Sequence, residues 1–162
     1  MQEHLRTGFG DLVFPIITHL GDAGFIWILI GLVLLCHPKT RRCGWTVLIS
    51  ILLAYVTGEL LIKNIVQRPR PFTVENVELL IVAPSGFSFP SGHSGSSFAA
   101  AVSLFLYRRK LGSAAIVLAA LIAFSRMYLF VHYPTDVLCG SLLGIASALL
   151  VSHLMRRREA RI

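Results

Sequence analysis

Acidic residues are scarce in this chain: 8 Asp+Glu stand against 15 Lys+Arg in 162 residues, and only 14% of the whole is charged. A soluble domain carries about 25% charged residues, so there is too little charge here to cover a water-exposed surface. With 55% hydrophobic residues the chain is equally unlike a disordered one. Cysteine is rare too, at three. Cys36 and Cys43 flank one predicted loop and Cys139 lies near the start of the last apolar run, which argues against a structural disulfide. No internal repeat or long linker divides the sequence, so residues 1–162 read as one domain. The first 20 residues lack the basic start, clean apolar stretch and small-residue cleavage site of a removable leader. They mix Glu3, His4, Arg6, Asp11 and Pro15 with Leu12, Val13, Phe14, Ile16 and Ile17. That mixture predicts an interfacial helix over 1–20, with a sixth, imperfect span as the competing reading.

Apolar length is abundant. Runs fall at 21–36, 45–66, 95–107, 111–130 and 137–155, and a bilayer crossing takes about 20 helical residues. The second, fourth and fifth runs suffice alone; the first and third must borrow flanking residues, with Asp22 and Ser91 or Ser94 as helix starts. The expectation is an all-α, polytopic membrane bundle of about five transmembrane helices plus the N-terminal interfacial helix. Five alternating crossings put Lys39, Arg41 and Arg42, then Arg108, Arg109 and Lys110, then Arg156, Arg157, Arg158 and Arg161 on one side. The positive-inside rule makes that side cytoplasmic, with the C-terminus. Ten of the 15 cations are then topological, and the basic excess implies no nucleic-acid partner. Arg6 and Arg68 read as side chains snorkelling to water, and His4, His19, His37 and His153 have no motif around them. Lys63, Arg70 and Arg126 converge with other polar residues.

Three clusters meet at the outer face. In the first, Lys63 closes the second span and Arg70 follows on a stiff segment, because Pro69 and Pro71 push the preceding residues out of helical conformation. Glu59, one turn earlier, can pair with Lys63, a purely structural alternative. In the second, Pro90-Ser91-Gly92-His93 opens the third span; Ser91 caps the helix, whose free N–H groups form an anion site. The plain alternative is a Ser-rich helix start with an incidental His. In the third, Ser125-Arg126 precedes His132 and Asp136 across the fourth and fifth spans. With Pro134 in the first turn of a helix, Asp136 can accept from the His132 Nδ1–H and leave Nε2 aimed at substrate. Otherwise Asp136 only caps the fifth helix. An Arg within a span is costly, and Arg126 is a functional candidate on that ground.

Three cations, two helix N-termini, one oriented His and a second His are what phosphoryl transfer without a metal requires. A metal site is the rival use of two His and an Asp, but three cations in the same pocket would repel a divalent ion, so no metal and no cofactor is expected.

These residues resemble the membrane branch of the type 2 phosphatidic acid phosphatase superfamily, whose pattern is Lys-x6-Arg-Pro, Pro-Ser-Gly-His and Ser-Arg-x5-His-x3-Asp. Lys63 to Arg70-Pro71, Pro90 to His93, and Ser125-Arg126 to His132 and Asp136 meet it without substitution, over roughly 60–144. The resemblance implies that His132 is a nucleophile forming a phosphohistidine, that Asp136 orients it, and that His93 protonates the leaving oxygen. Lys63, Arg70, Ser91, Gly92 and Arg126 would cradle the phosphate. Such a protein sits in the plasma membrane with its site on the extracytoplasmic side and a lipid phosphate or diphosphate as substrate. Compact bacterial members resemble undecaprenyl-diphosphate phosphatases, which makes undecaprenyl diphosphate the expected substrate; phosphatidylglycerophosphate and phosphatidic acid are the alternatives, and a transporter or scaffold is the non-enzyme reading. The loop 72–89, with Glu75, Glu78 and the apolar run Leu79-Leu80-Ile81-Val82, is the expected seat of specificity, the run either dipping into the interface or packing on the bundle. A reporter fused after Arg158 should read as cytoplasmic and one inserted in 72–89 as external; the reverse would overturn this topology.

Overall fold

The computed structural model describes residues 6–75 and 77–159. Met1 to Leu5, with Glu3 and His4, and the cation Arg161 lie outside the described residues. Every regular element among the described residues is helical. Helix α1 spans Gly8–Leu20, and a tight turn at Asp22–Gly24 leads into α2 (Phe25–Leu35). Helix α3 (Arg41–Tyr55) continues through a π-helical stretch, Val56–Ile62, into the short α4 (Lys63–Val66). The single turn α5 (Pro71–Val74) precedes three long helices, α6 (Gly92–Tyr107), α7 (Arg109–Tyr128) and α8 (Pro134–Glu159).

The chain is thus the all-helical membrane bundle expected, with a refinement in how it crosses. Three stretches are long and apolar enough to span a bilayer: Arg41–Val74, Arg109–Tyr128 and Pro134–Arg157. The pair Gly8–Leu20 and Asp22–Leu35, bent by 41°, makes a fourth if taken as one span. The first apolar run is set off by consecutive left-handed residues, Ala23 (φ 50°) and Gly24 (φ 69°). The N-terminal stretch is helical and held against the bundle. Phe14 packs on Phe124 and Tyr128, and the Tyr128 hydroxyl accepts from the Thr7 N–H (3.0 Å) and donates to Asp11 Oδ1 (2.8 Å). The third run forms α6, which at 16 residues is short for a span.

Helix α6 is the packing centre. Ala99, Ala100 and Ala101 are wholly buried, since small side chains let α3, α7 and α8 approach from different sides. A Cβ on Gly144 of α8 would collide with the Gly95 carbonyl oxygen, and one on Gly140 with that of Ser91. In hydrocarbon, where apolar burial gives no drive between helices, such close approach and interhelical hydrogen bonds hold a bundle together. The second kind is present as Trp27 Nε1 donating to Ser97 Oγ (2.9 Å), Ser103 Oγ donating to Ser50 Oγ (3.1 Å), and Thr46 Oγ1 with the Tyr107 hydroxyl (3.1 Å). Large apolar side chains such as Val117, Leu138 and Leu149 face outward.

The two ends differ in chemistry. Arg42 donates to the Met155 carbonyl (2.8 Å) and Arg156 to the Leu106 carbonyl (3.4 Å), so the start of α3, the α6–α7 junction and the end of α8 share one end. The remaining motif residues gather at the other. Gly144→Val should force α6 and α8 apart and cost about 1–3 kcal/mol, the usual penalty of overpacking, seen as a lower unfolding temperature in detergent. Gly8→Ala, where a Cβ meets nothing within 4 Å, should leave that temperature unchanged.

Candidate active site

The first motif is shaped by its prolines. Gln67 turns left-handed (φ 48°) and ends α4, and Arg70 is extended (φ −77°, ψ 153°) before Pro71 opens α5. Lys63 therefore stays on the helix, its Nζ donating to Glu59 Oε1 at 2.6 Å as the spacing allowed. Arg70 turns inward and is buried. Its Nε donates to the Gly86 carbonyl (3.0 Å), Nη2 to Ser85 (3.0 Å) and Nη1 to Val131 (3.0 Å), with Nη1 also 3.2 Å from His132 Nε2. One guanidinium thus ties the loop before α6 to the turn after α7.

The second motif starts α6 as expected. Ser91 is the N-cap, its Oγ accepting from the Ser94 N–H (3.4 Å) and the Ser94 hydroxyl (3.0 Å). Its own N–H donates to the Asp136 carbonyl (3.0 Å). The hydroxyl is buried in these contacts, and Gly92 and His93 form the wall facing the cavity. A Cβ on Gly92 would collide with Glu59 Oε1, so a larger residue here would push the Glu59 carboxylate aside.

The third motif places His132 in the connection between α7 and α8, just after the left-handed Phe130 (φ 57°). Its Nδ1 faces Asp136 Oδ2 at 3.6 Å and Ser88 Oγ at 3.5 Å, while Nε2 faces the Arg70 guanidinium. Burial pushes its imidazole down to about 3. The Asp136 carboxylate works against that shift, and the charges of Arg126, Arg70 and Lys63 add to it. The ring is therefore neutral at physiological pH, with a nitrogen lone pair to offer.

Asp136 has no exposed surface and is held more tightly by residues the sequence did not single out than by His132. Oδ2 accepts from Ser88 Oγ (2.5 Å) and the Tyr133 N–H (2.9 Å), and Oδ1 from Arg68 Nη1 (2.8 Å). Arg68 also donates to Thr135 Oγ1 (2.7 Å) and lies 3.8 Å from the centre of the Tyr133 ring. The reading of Arg68 as a cation snorkelling to water is therefore corrected: a buried carboxylate and an aromatic face draw it inward. Arg6, by contrast, pairs with Asp11 (3.4 Å) at a partly exposed position.

These residues surround a cavity of about 830 Å³ whose wall includes Glu59, Lys63, Arg70, Gly92, His93, Arg126 and His132. Ile28, Leu48, Ile51, Leu52 and Tyr55 make its apolar flank. Arg126 is buried within α7; Nη1 donates to Thr18 Oγ1 (2.5 Å), and the buried Nε has no hydrogen-bond partner among the described residues. A buried donor left unpaired is costly, and beside Lys63 and Arg70 the group that would satisfy it is an anion. Asp136 lies behind His132 and off the cavity wall. In the loop 72–89, Leu79, Leu80 and Ile81 pack on Tyr128, Leu129 and Val131, and Val82 projects outward.

Four further contributors escaped the sequence reading: Arg68, Ser88, Thr18 and Asp22, the last 2.9 Å from His93 Nε2. Asp22 carried a usable signal, an ionised side chain beside an apolar run. Ser88 and Thr18 carried none.

The PAP2 superfamily model matches residues 44–160, which contain all three motifs. An undecaprenyl-diphosphatase of Sulfolobus acidocaldarius is 38% identical over 122 residues, 74% of this chain and 59% of that protein, so the match spans less than two thirds of the relative. The crystal structure of Aquifex aeolicus LpxE superposes with a TM-score of 0.80 at 27% identity, covering 92% of this chain and 88% of that one. That of a transmembrane PAP2-type phosphatidylglycerolphosphate phosphatase from Bacillus subtilis gives 0.76 at 30% identity, covering 94% and 80%. With the family match running over most of its length and the three motifs inside it, this chain belongs to the PAP2 superfamily.

Proposed function

We propose that the protein is an integral-membrane lipid phosphatase that works through a phosphohistidine on His132, and that its substrate is undecaprenyl diphosphate, released as undecaprenyl phosphate and inorganic phosphate. The observation that carries this reading is the cavity itself: a neutral His132 beside Lys63, Arg70 and Arg126, one of them with an unpaired buried donor, and an apolar flank continuous with the polar wall.

The chemistry follows from that arrangement. Lys63, Arg70, Arg126 and the N–H groups of Gly92 and His93 at the start of α6 neutralise the phosphoryl oxygens, while Ser91 caps that helix start. His132 Nε2 attacks phosphorus; the N–P bond forms as the bond to the leaving oxygen breaks. His93 gives the leaving oxygen a proton and ends neutral. Water, losing a proton to His93, then attacks the phosphohistidine and frees phosphate, which returns both imidazoles to their starting state. Asp136 holds the His132 ring from behind. Residues 1–162 act as one domain, with the site at the extracytoplasmic end and the basic end in the cytoplasm.

The polar wall reads phosphate, so the choice of lipid rests on the relatives. The Sulfolobus protein is named for undecaprenyl diphosphate and the Bacillus structure for phosphatidylglycerolphosphate; the latter lipid is the second reading, and phosphatidic acid falls in the same monoester class. A transporter or scaffold would have no use for His93, His132 and Asp136 together. Purified protein in detergent should release phosphate from undecaprenyl diphosphate with chelator present, faster than from phosphatidylglycerophosphate or phosphatidic acid, and His132→Ala should lower that rate by about 10³-fold or more. A need for added divalent metal would overturn the chemistry; preference for a monoester would move the substrate to the second reading.

A further inference from the structure

His93 has a partner outside every motif. Its Nε2 lies 2.9 Å from Asp22 Oδ1, in the turn between α1 and α2 and 71 residues earlier in the chain. The other oxygen, Oδ2, lies 2.7 Å from His19 Nδ1. The turn is built to bring the carboxylate there. Ala23 and Gly24 both adopt left-handed conformations, which an alanine rarely takes up. Gly21 lies so close to the His93 ring that a Cβ would stand 2.9 Å from its Cδ2. Both Gly21 and His93 border the cavity.

The charged groups acting on His93 are Asp22 from this turn, Arg126 from α7, and Arg70; His19 faces the far side of the carboxylate. A general acid must carry a proton to act, and burial first, then the two guanidiniums that serve a phosphate, disfavour a protonated His93. The acid of this site therefore needs a carboxylate of its own, distinct from Asp136, which serves His132.

We infer that Asp22 is the positioning residue of His93, fixing its ring by accepting from Nε2–H and stabilising its imidazolium, with His19 holding the carboxylate in place. The inference rests on the proposed role of His93 as the acid for the leaving oxygen. Asp22 touches no reacting atom. In the step it supports, the bond from phosphorus to the leaving oxygen breaks as the His132 Nε2–P bond forms. The proton passed to that oxygen is the one His93 does not share with Asp22.

Asp22→Asn keeps the shape and removes the charge. With a lipid substrate, whose leaving group needs a proton, kcat should fall about 10-fold or more; with p-nitrophenyl phosphate, whose leaving group does not, it should change less than about 2-fold. The alkaline limb of the lipid reaction should move about one pH unit toward acid, since an imidazolium that has lost its carboxylate gives up its proton at lower pH. His93→Ala should show the same leaving-group asymmetry, and the double variant should be no worse than His93→Ala alone. Asp22→Glu should recover part of the loss. Asp22→Ser gives the same pair of readings if Asp22→Asn does not accumulate. Equal losses on both substrates, or an unmoved alkaline limb, in an Asp22 variant while His93→Ala keeps its asymmetry would overturn the role of Asp22. Equal losses in His93→Ala would remove the acid role itself, and the inference with it.

Discussion

A carboxylate without exposed surface, Asp136, is the constraint from which the polar end of this bundle is built. A buried charge stripped of its partner costs about 3–5 kcal/mol, so the chain must bring donors to it. They come from three places: Arg68 after α4, Ser88 in the loop before α6, and the Tyr133 N–H at the entry to α8. The backbone carbonyl of the same residue takes the Ser91 N–H. Satisfying one residue thereby locks together the segments that carry all three motifs, and the His132 ring lies against the result at 3.6 Å.

The pairing also decides where positive charge is left over. Arg68 is matched to Asp136 and Lys63 to Glu59. The hydrogen bonds of Arg70 go to carbonyls and a His ring nitrogen, and that of Arg126 goes to a hydroxyl, all neutral partners. Among the described residues neither guanidinium has a carboxylate as a direct partner, and two such groups on one cavity wall suit a doubly charged phosphoryl group. Below them the wall turns apolar at Ile51, Leu52 and Tyr55, the surface a lipid chain attached to that group would need. The glycines and alanines at the α6–α8 contact keep this geometry rigid, because the helices that carry His93 and Asp136 cannot slide apart without losing backbone contact.

Much of this was legible before the fold was known, and the boundary is physical. Local rules reached what local spacing controls: the Ser91 cap, Pro134 at the head of α8, the Lys63–Glu59 pair, and the extended Arg70 between two prolines. The convergence of the three clusters followed from counting crossings. The partners of Arg68, Asp22, Ser88 and Thr18 lie 68, 71, 48 and 108 residues away, and no periodicity links such pairs. The expected count of spans was refined for a related reason. Hydropathy measures apolar length and cannot tell α6, surrounded by protein, from a helix that faces lipid; nor does it register the left-handed bend at Ala23 and Gly24.

Everything proposed for the site turns on a bond between phosphorus and His132. Rapid quenching of the protein with substrate labelled in the terminal phosphate, followed by peptide mapping, tests it most directly. A transient, acid-labile and alkali-stable label is expected on the peptide containing His132, absent in His132→Ala and longer-lived when water attack is slowed. Turnover with no label on the protein, or a label on another residue, would contradict it.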